Sequence, residues 1–245
     1  MSITLKLSSD VPILHARYFP PIVLERDSEL SLLSLVCWHS IKNVDETNNC
    51  FYYDNDKMIK IPVGCYEITD INKYLQREMK SKLSAPLTDD EKLMGDQAVL
   101  LEGNRHTLHS EITCRYPINF MRYEKNVFKN NIGTLLGFED VITKPFEKCT
   151  SNKPVNILKV QVIRVSCNIA SNSYDQDQPS HVIYEFFPNV APGFKVVENP
   201  RQLIYHKLNT RVISEIEVRF TDQSDQLLNF RGEVIHLRLH IRPCQ

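Results

Sequence analysis

Near the C-terminus the sequence runs Ile235-His236-Leu237-Arg238-Leu239-His240-Ile241, an aliphatic residue at every second position with histidine or arginine between. Period two marks a β-strand with one buried face, because successive side chains on a strand point to opposite sides. Just upstream, Ile216, Val218 and Phe220 alternate with Glu215, Glu217 and Arg219, and Thr221-Asp222-Gln223-Ser224-Asp225 supplies turn residues. The simplest expectation is that these two strands form one antiparallel pair. Residues 157–169 are rich in valine and isoleucine on both phases, which predicts a core strand covered on both sides or one carrying a bulge.

Further strands are expected over residues 2–7, 29–36, 58–61, 65–68, 109–116, 182–187, 195–197 and 203–208, most of them bounded by Pro, Asn or Asp. Helical signals are few. Ile71, Tyr74, Leu75 and Met79 recur at helical spacing after Thr69 or Asp70, either of which can cap a helix. A shorter helix is expected from about 130 to 136, stopped by Gly137. The fold class is therefore mainly β, an antiparallel jelly-roll-type β-sandwich with one or two short helices. Two divisions of the chain are open. In one, a β-rich N-terminal module over 1–150, with an insertion near 80–104, precedes a β-rich C-terminal module over 151–245; in the other, 1–245 is one elaborated jelly-roll domain.

The composition narrows the classes of function. With 29 Lys and Arg against 30 Asp and Glu the net charge is -1, which lacks the basic field of a nucleic-acid binder. No apolar stretch reaches the roughly 20 residues that span a bilayer, and residues 1–7 alternate instead of forming a signal peptide. The chain is expected in the cytosol or nucleus, or in a particle assembled there. The cysteines (Cys37, Cys50, Cys65, Cys114, Cys149, Cys167, Cys244) form no CxxC pair, so reduced thiols are expected, without a disulfide framework or zinc ribbon.

Each candidate for chemistry has a plainer reading. His106 and His109, with Glu111 and Cys114, have the residue types of a metal cluster, but they fall where a loop enters a strand. His236 and His240 share a strand face about 13 Å apart, too far for one ion at about 3.3 Å per residue. Cys37-Trp38-His39 has a thiol and an imidazole, yet no glycine turn to build an oxyanion site. The carboxylate pairs Asp45-Glu46 and Asp89-Asp90 read as solvated loops, and Gly133 to Gly137 reads as a helix end packed by Leu135, Leu136 and Phe138 rather than a phosphate loop. No catalytic, cofactor-binding or metal-binding residue is assigned. Val182-Ile183-Tyr184-Glu185-Phe186-Phe187 carries more apolar area than one strand face needs, which makes Tyr184, Phe186 and Phe187 candidates for a subunit interface. Replacing Tyr184 by Asp is then expected to disrupt assembly before folding.

Several segments carry a resemblance: Asp45-Glu46-Thr47-Asn48-Asn49-Cys50-Phe51-Tyr52-Tyr53; residues 59–75, IKIPVGCYEITDINKYL; 130–138, NNIGTLLGF; 180–188, SHVIYEFFP; and 228–233, LNFRGE. Together they resemble structural proteins of Polinton (Maverick) elements and adintovirus-like double-stranded DNA viruses, most of all the minor capsid, or penton, class. The resemblance extends from about residue 28 to 241. It implies a virion protein, made in the host cytoplasm or nucleus and not secreted: a jelly-roll subunit that self-associates as a pentamer at icosahedral vertices and contacts the major capsid protein. From the charge, the absence of an apolar span and the absence of a motif, no cofactor, no specific nucleic acid and no membrane span are expected. A receptor- or glycan-binding attachment spike of the same kind of virus, with a trimer as its expected state, is the alternative, ahead of a cysteine protease or metal-dependent hydrolase. A single jelly roll needs fewer residues than this chain has, so an insertion near 80–104 or a second module from Ser151 is required.

Overall fold

The computed structural model of the protein describes residues 2–24, 27–81, 97–124, 127–171, 173–175 and 177–244. In chain order its elements begin with β1 (Ile3–Ser9), β2 (Ile13–Val23) and β3 (Ser28–Trp38). There follow β4 (Cys50–Tyr53), β5 (Lys57–Lys60), α1 (Ile68–Lys80), β6 (Val99–Asn104), β7 (His109–Cys114), β8 (Tyr123–Glu124), β9 (Val127–Phe128), α2 (Gly133–Leu136) and β10 (Cys149–Thr150). The last are β11 (Ile163–Cys167), β12 (Ser173–Asp175), β13 (Gln178–Ser180), β14 (Val182–Phe186), β15 (Lys195–Glu198), β16 (His206–Lys207), β17 (Val212–Thr221) and β18 (Ile235–Pro243). The chain forms two compact units, Met1–Ile41 with Val160–Gln245, and Lys42–Lys159.

The first unit is a sandwich of two antiparallel sheets, β1-β18-β3-β15 with β16 also on β3, and β14-β11-β17-β2. Follow its eight strands β1, β2, β3, β11, β14, β15, β17 and β18 along the chain. Only β11 to β14 stays within one sheet; every other step crosses to the opposite sheet. That winding is a jelly roll, and the expected fold class holds, with α1 and α2 as its two helices. Inward residues of both sheets, among them Leu30, Leu35, Leu237 and Leu239 from one and Leu14, Val165, Val218 and Phe220 from the other, share one core.

This winding corrects the expected pairing of the two C-terminal strands. β17 and β18 lie in opposite sheets, β17 between β11 and β2, and β18 between β1 and β3. Residues 222–234 are not a simple turn: Leu228 and Phe230 are buried, and the Phe230 ring meets Phe220 edge-on at 5.9 Å. A connection that plugs the end of the sandwich carries the chain across it.

The two-phase pattern over 157–169 is a junction rather than one long strand. Only Ile163–Cys167 is strand; Ile163, Val165 and Cys167 enter the roll's core, whereas Ile157 packs on the core of the second unit. A bulge is present, opposite β14 between Val165 and Ser166. Residues 65–67 are loop where a strand was expected, and of 203–208 only His206–Lys207 is strand. β2 escapes the sequence reading because Pro20-Pro21 looks like a loop. The strand tolerates them since it lies at the sheet edge, and its register with β17 shifts there between Ile213 and Glu215.

The second unit contains the sheet β10-β7-β6, the ribbons β4-β5 and β8-β9, and both helices. α1 starts with a capping box in which Glu67 is the cap and Asp70 returns to the Glu67 N–H at 3.2 Å. The capping residue is therefore Glu67, with Asp70 three places inside. Ile71, Leu75 and Met79, one per turn, fill the core with Phe51, Phe120, Leu136 and Phe138. Gly137 ends α2 in the left-handed conformation expected of it. Of the insertion expected near 80–104, residues 82–96 lie outside the described residues, Lys80 closes α1, and Val99–Asn104 is β6. Contacts change at 41/42 and 159/160 rather than near 150, because β1 and β3 pair with β18, and β2 with β17.

Candidate interaction surface

The residue types that suggested catalysis have structural work instead. Cys37 points into the roll, where burial, aided by the Glu198 carboxylate, pushes its thiol up to about 12. Such a thiol is protonated at neutral pH and is no nucleophile. His39 is also buried, its Nδ1 on the Val190 carbonyl at 2.7 Å. His109 Nδ1 meets the Ser151 carbonyl at 2.7 Å, Glu111 pairs with Lys148 at 2.6 Å, and burial holds the Cys114 thiol up near about 11. Among the described residues, no group of three His, Cys, Asp or Glu side chains is placed to hold a metal ion. No described helix is long and apolar enough to cross a membrane. The pair Asp89-Asp90 lies outside the described residues.

Asp45 departs from the solvated-loop reading. Its carboxylate is buried and accepts from Lys159 Nζ at 2.6 Å and from the Thr47 N–H at 2.9 Å and Oγ1 at 2.5 Å. Burial by itself raises its pKa, but these donors outweigh burial and bring it down to about 2. It belongs to a polar scaffold that the sequence reading did not single out. Asn43 Nδ2 donates to the Tyr66 and Ile157 carbonyls at 2.7 and 2.9 Å, and its Oδ1 accepts the Tyr66 N–H at 2.9 Å. Asn49 Nδ2 donates to Ile61 O at 3.0 Å, and Asn131 Oδ1 accepts the Gly133 N–H at 2.8 Å. Asn43, together with Asn49 and Asn131 from two of the five segments that carry the family resemblance, thus ties loops of the second unit together. Pairs of asparagines beside aromatic residues were the available signal.

The three candidate interface residues are separated by the strand that carries them. Phe186 is in the core, and Tyr184 also turns inward, stacked on Phe186 at 6.2 Å with its hydroxyl 3.4 Å from Glu198 Oε2. Phe187, just past the strand, is 66% exposed. Another projecting ring is Phe19, fully exposed where β2 bulges from its sheet edge.

The outer faces of the two sheets differ in charge. Pairing in register puts Lys6 opposite Arg238, Lys195 opposite Trp38, Lys207 opposite Glu29, and Arg242 beside Glu29 on the face of the β1-β18-β3-β15 sheet. Arg242 Nε binds Glu29 at 2.6 Å and its guanidinium lies 3.6 Å above the Tyr205 ring, while Tyr205 Oη is 2.8 Å from His240 Nδ1. On this outer face those strands place five Lys or Arg side chains and one carboxylate, Glu29; Glu198 of β15 is in register with buried Leu35, on the inward side. On the other sheet every Arg of the outer face is paired: Arg17 with Glu215, Arg219 with Glu217, and Arg164 with Asp175, Glu185 and Asp225. Three of these carboxylates, Glu185, Glu215 and Glu217, stand on the strands of that sheet and balance its three arginines; Asp175 of β12 and Asp225 of the 222–234 connection reach the same face through Arg164 and leave it with a surplus of two.

A jelly roll wound in this order, interrupted after β3 by a second compact unit, defines the structural class: an elaborated jelly-roll β-sandwich. Among solved structures the chain is similar to the selenomethionine-labelled mavirus penton protein, with 11% sequence identity, a TM-score of 0.50 and 100% of both chains covered. No family model matches the sequence, and no curated protein matches it. The resemblance to the penton class read from the sequence is borne out in the fold.

Proposed function

We propose that this protein is a non-enzymatic structural subunit of a virion, a minor capsid or penton protein that self-associates as a pentamer at icosahedral vertices and contacts the major capsid protein. One observation carries the reading: the fold of this chain is similar to that of the mavirus penton protein over the full length of both chains. The buried, protonated Cys37 and the structural use of His39 and His109 argue against a hydrolase. On this reading the inserted unit elaborates the subunit, and Phe187 is the one of the three candidate residues available for an interface. The protein would be made in the host cytoplasm or nucleus and reside in the virion.

The test is the mass of the purified protein by light scattering, with negative-stain images of the same sample. A five-fold ring is the expected result. A trimer with specific receptor or glycan binding would replace this reading with that of an attachment spike.

A further inference from the structure

Lys6 and Arg238 face each other directly across the β1-β18 ladder, and neither has a carboxylate partner among the described residues. Like charges directly opposite each other on one sheet face repel, so this pair weakens the isolated roll. An anionic surface laid over it would remove the repulsion. Next to it runs a less polar row in which His236, Val36 and Val197 lie side by side in register, with Trp38 one step further along. A basic sheet face crossed by an apolar row suits a flat protein surface carrying surplus carboxylates. The same roll presents such a surface on its other sheet, where Glu185 and Glu215 remain about half exposed although their arginine partners are close.

We infer that these two faces are the halves of one contact between copies of this chain: the outer face of β1-β18-β3-β15 of one copy packs on the outer face of β14-β11-β17-β2 of the next. The inference rests on the vertex reading above and adds to it the surface used and its direction. A contact between two different faces is heterologous, so each copy retains a free face of each kind until a ring closes. Charge fixes the polarity, because basic face against basic face repels. Nucleic acid fits the basic face less well, since Val36 and Val197 interrupt it and the chain as a whole is at -1.

The experiment is sedimentation velocity at low and physiological salt on the full chain and two double variants, with far-UV circular dichroism confirming the fold. One variant carries Lys6→Glu and Arg238→Glu, the other Glu185→Lys and Glu215→Lys. The expected result is that the wild type associates, each variant alone is at least tenfold weaker, and an equimolar mixture associates because each supplies the face that the other lacks. Lys6→Glu alone guards against misfolding: it turns the repelling pair into an attractive one, so it raises the melting temperature while weakening association. If both double variants sediment as the wild-type ring, the contact lies elsewhere and the inference is overturned while the vertex reading stands. If only the lysine and arginine reversals dissociate the ring, the carboxylate face is not the partner. A wild type that stays monomeric at low salt overturns the inference together with the ring on which it rests. Loss of duplex DNA binding by the first variant, with the ring mass unchanged, would assign the basic face to nucleic acid instead.

Discussion

Replacing Asp45 by Asn should destabilise the second unit at neutral pH and have little effect in acid. The Asp45 side chain is only 9% exposed, and its pKa is lowered from 3.8 to about 2. At about 1.36 kcal/mol per pH unit, that difference between folded and unfolded states is worth about 2 kcal/mol. The folded pKa is the depressed one, so the stabilisation is complete above the unfolded value of 3.8 and is lost as pH falls from there through about 2. The substituted amide would still accept from the Thr47 N–H but would offer Lys159 no charge. Urea unfolding followed by circular dichroism from pH 7 to pH 2 should show a gap of about 2 kcal/mol between wild type and variant that closes in acid. The protein has a single tryptophan, Trp38, which belongs to the first unit. Its fluorescence transition should therefore be the less affected of the two signals. A gap of the same size at pH 7 and pH 2 would refute the assignment to the Asp45 charge.

Gly137→Ala should cost more than about 1 kcal/mol by thermal unfolding, since Gly137 has φ +82° and an added Cβ would lie 2.2 Å from the Lys153 carbonyl oxygen. Tyr184→Asp should lower the melting temperature of the subunit itself, because the Tyr184 ring is turned inward against Phe186 and a carboxylate there would face Glu198. A variant that melts like the wild type yet fails to assemble would return Tyr184 to the surface role that its sequence suggested. Iodoacetamide at pH 8 should modify exposed Cys244 in the native protein while Cys37, Cys114 and Cys167 react only on unfolding, their thiols being buried with raised pKa values; peptide mass mapping reads this directly.

Local pattern made much of the roll legible. The alternation at 235–241 and 215–220 identified β18 and β17 and the faces they bury, because strand periodicity is a property of neighbouring residues. Gly137 announced the end of α2 for the same kind of reason: a left-handed cap needs a residue without a Cβ. The candidate interface was only partly legible. A strand such as 182–187, with apolar residues on both phases, shows that extra area must be covered, yet not whether the roll's own core or another molecule covers it. The structure gives Phe186 and Tyr184 to the core and leaves Phe187 outside.

Tertiary structure alone decided which strands pair and where the chain divides. β17 and β18 bury the same kind of face whether they form a hairpin or oppose each other across a sandwich, so alternation cannot separate the two; Leu228 and Phe230, closing the end of the roll, decide it. The valines and isoleucines of 157–169 likewise read as one strand because sequence does not record that Ile157 serves one core and Ile163 another. The opposed charge of the two outer faces also depends on register, since Lys6, Arg238, Lys195 and Lys207 come from four separate strands. What sequence determined here was the local alternation of buried and exposed residues; the association of distant strands belongs to the fold, because it depends on contacts between residues far apart in the chain.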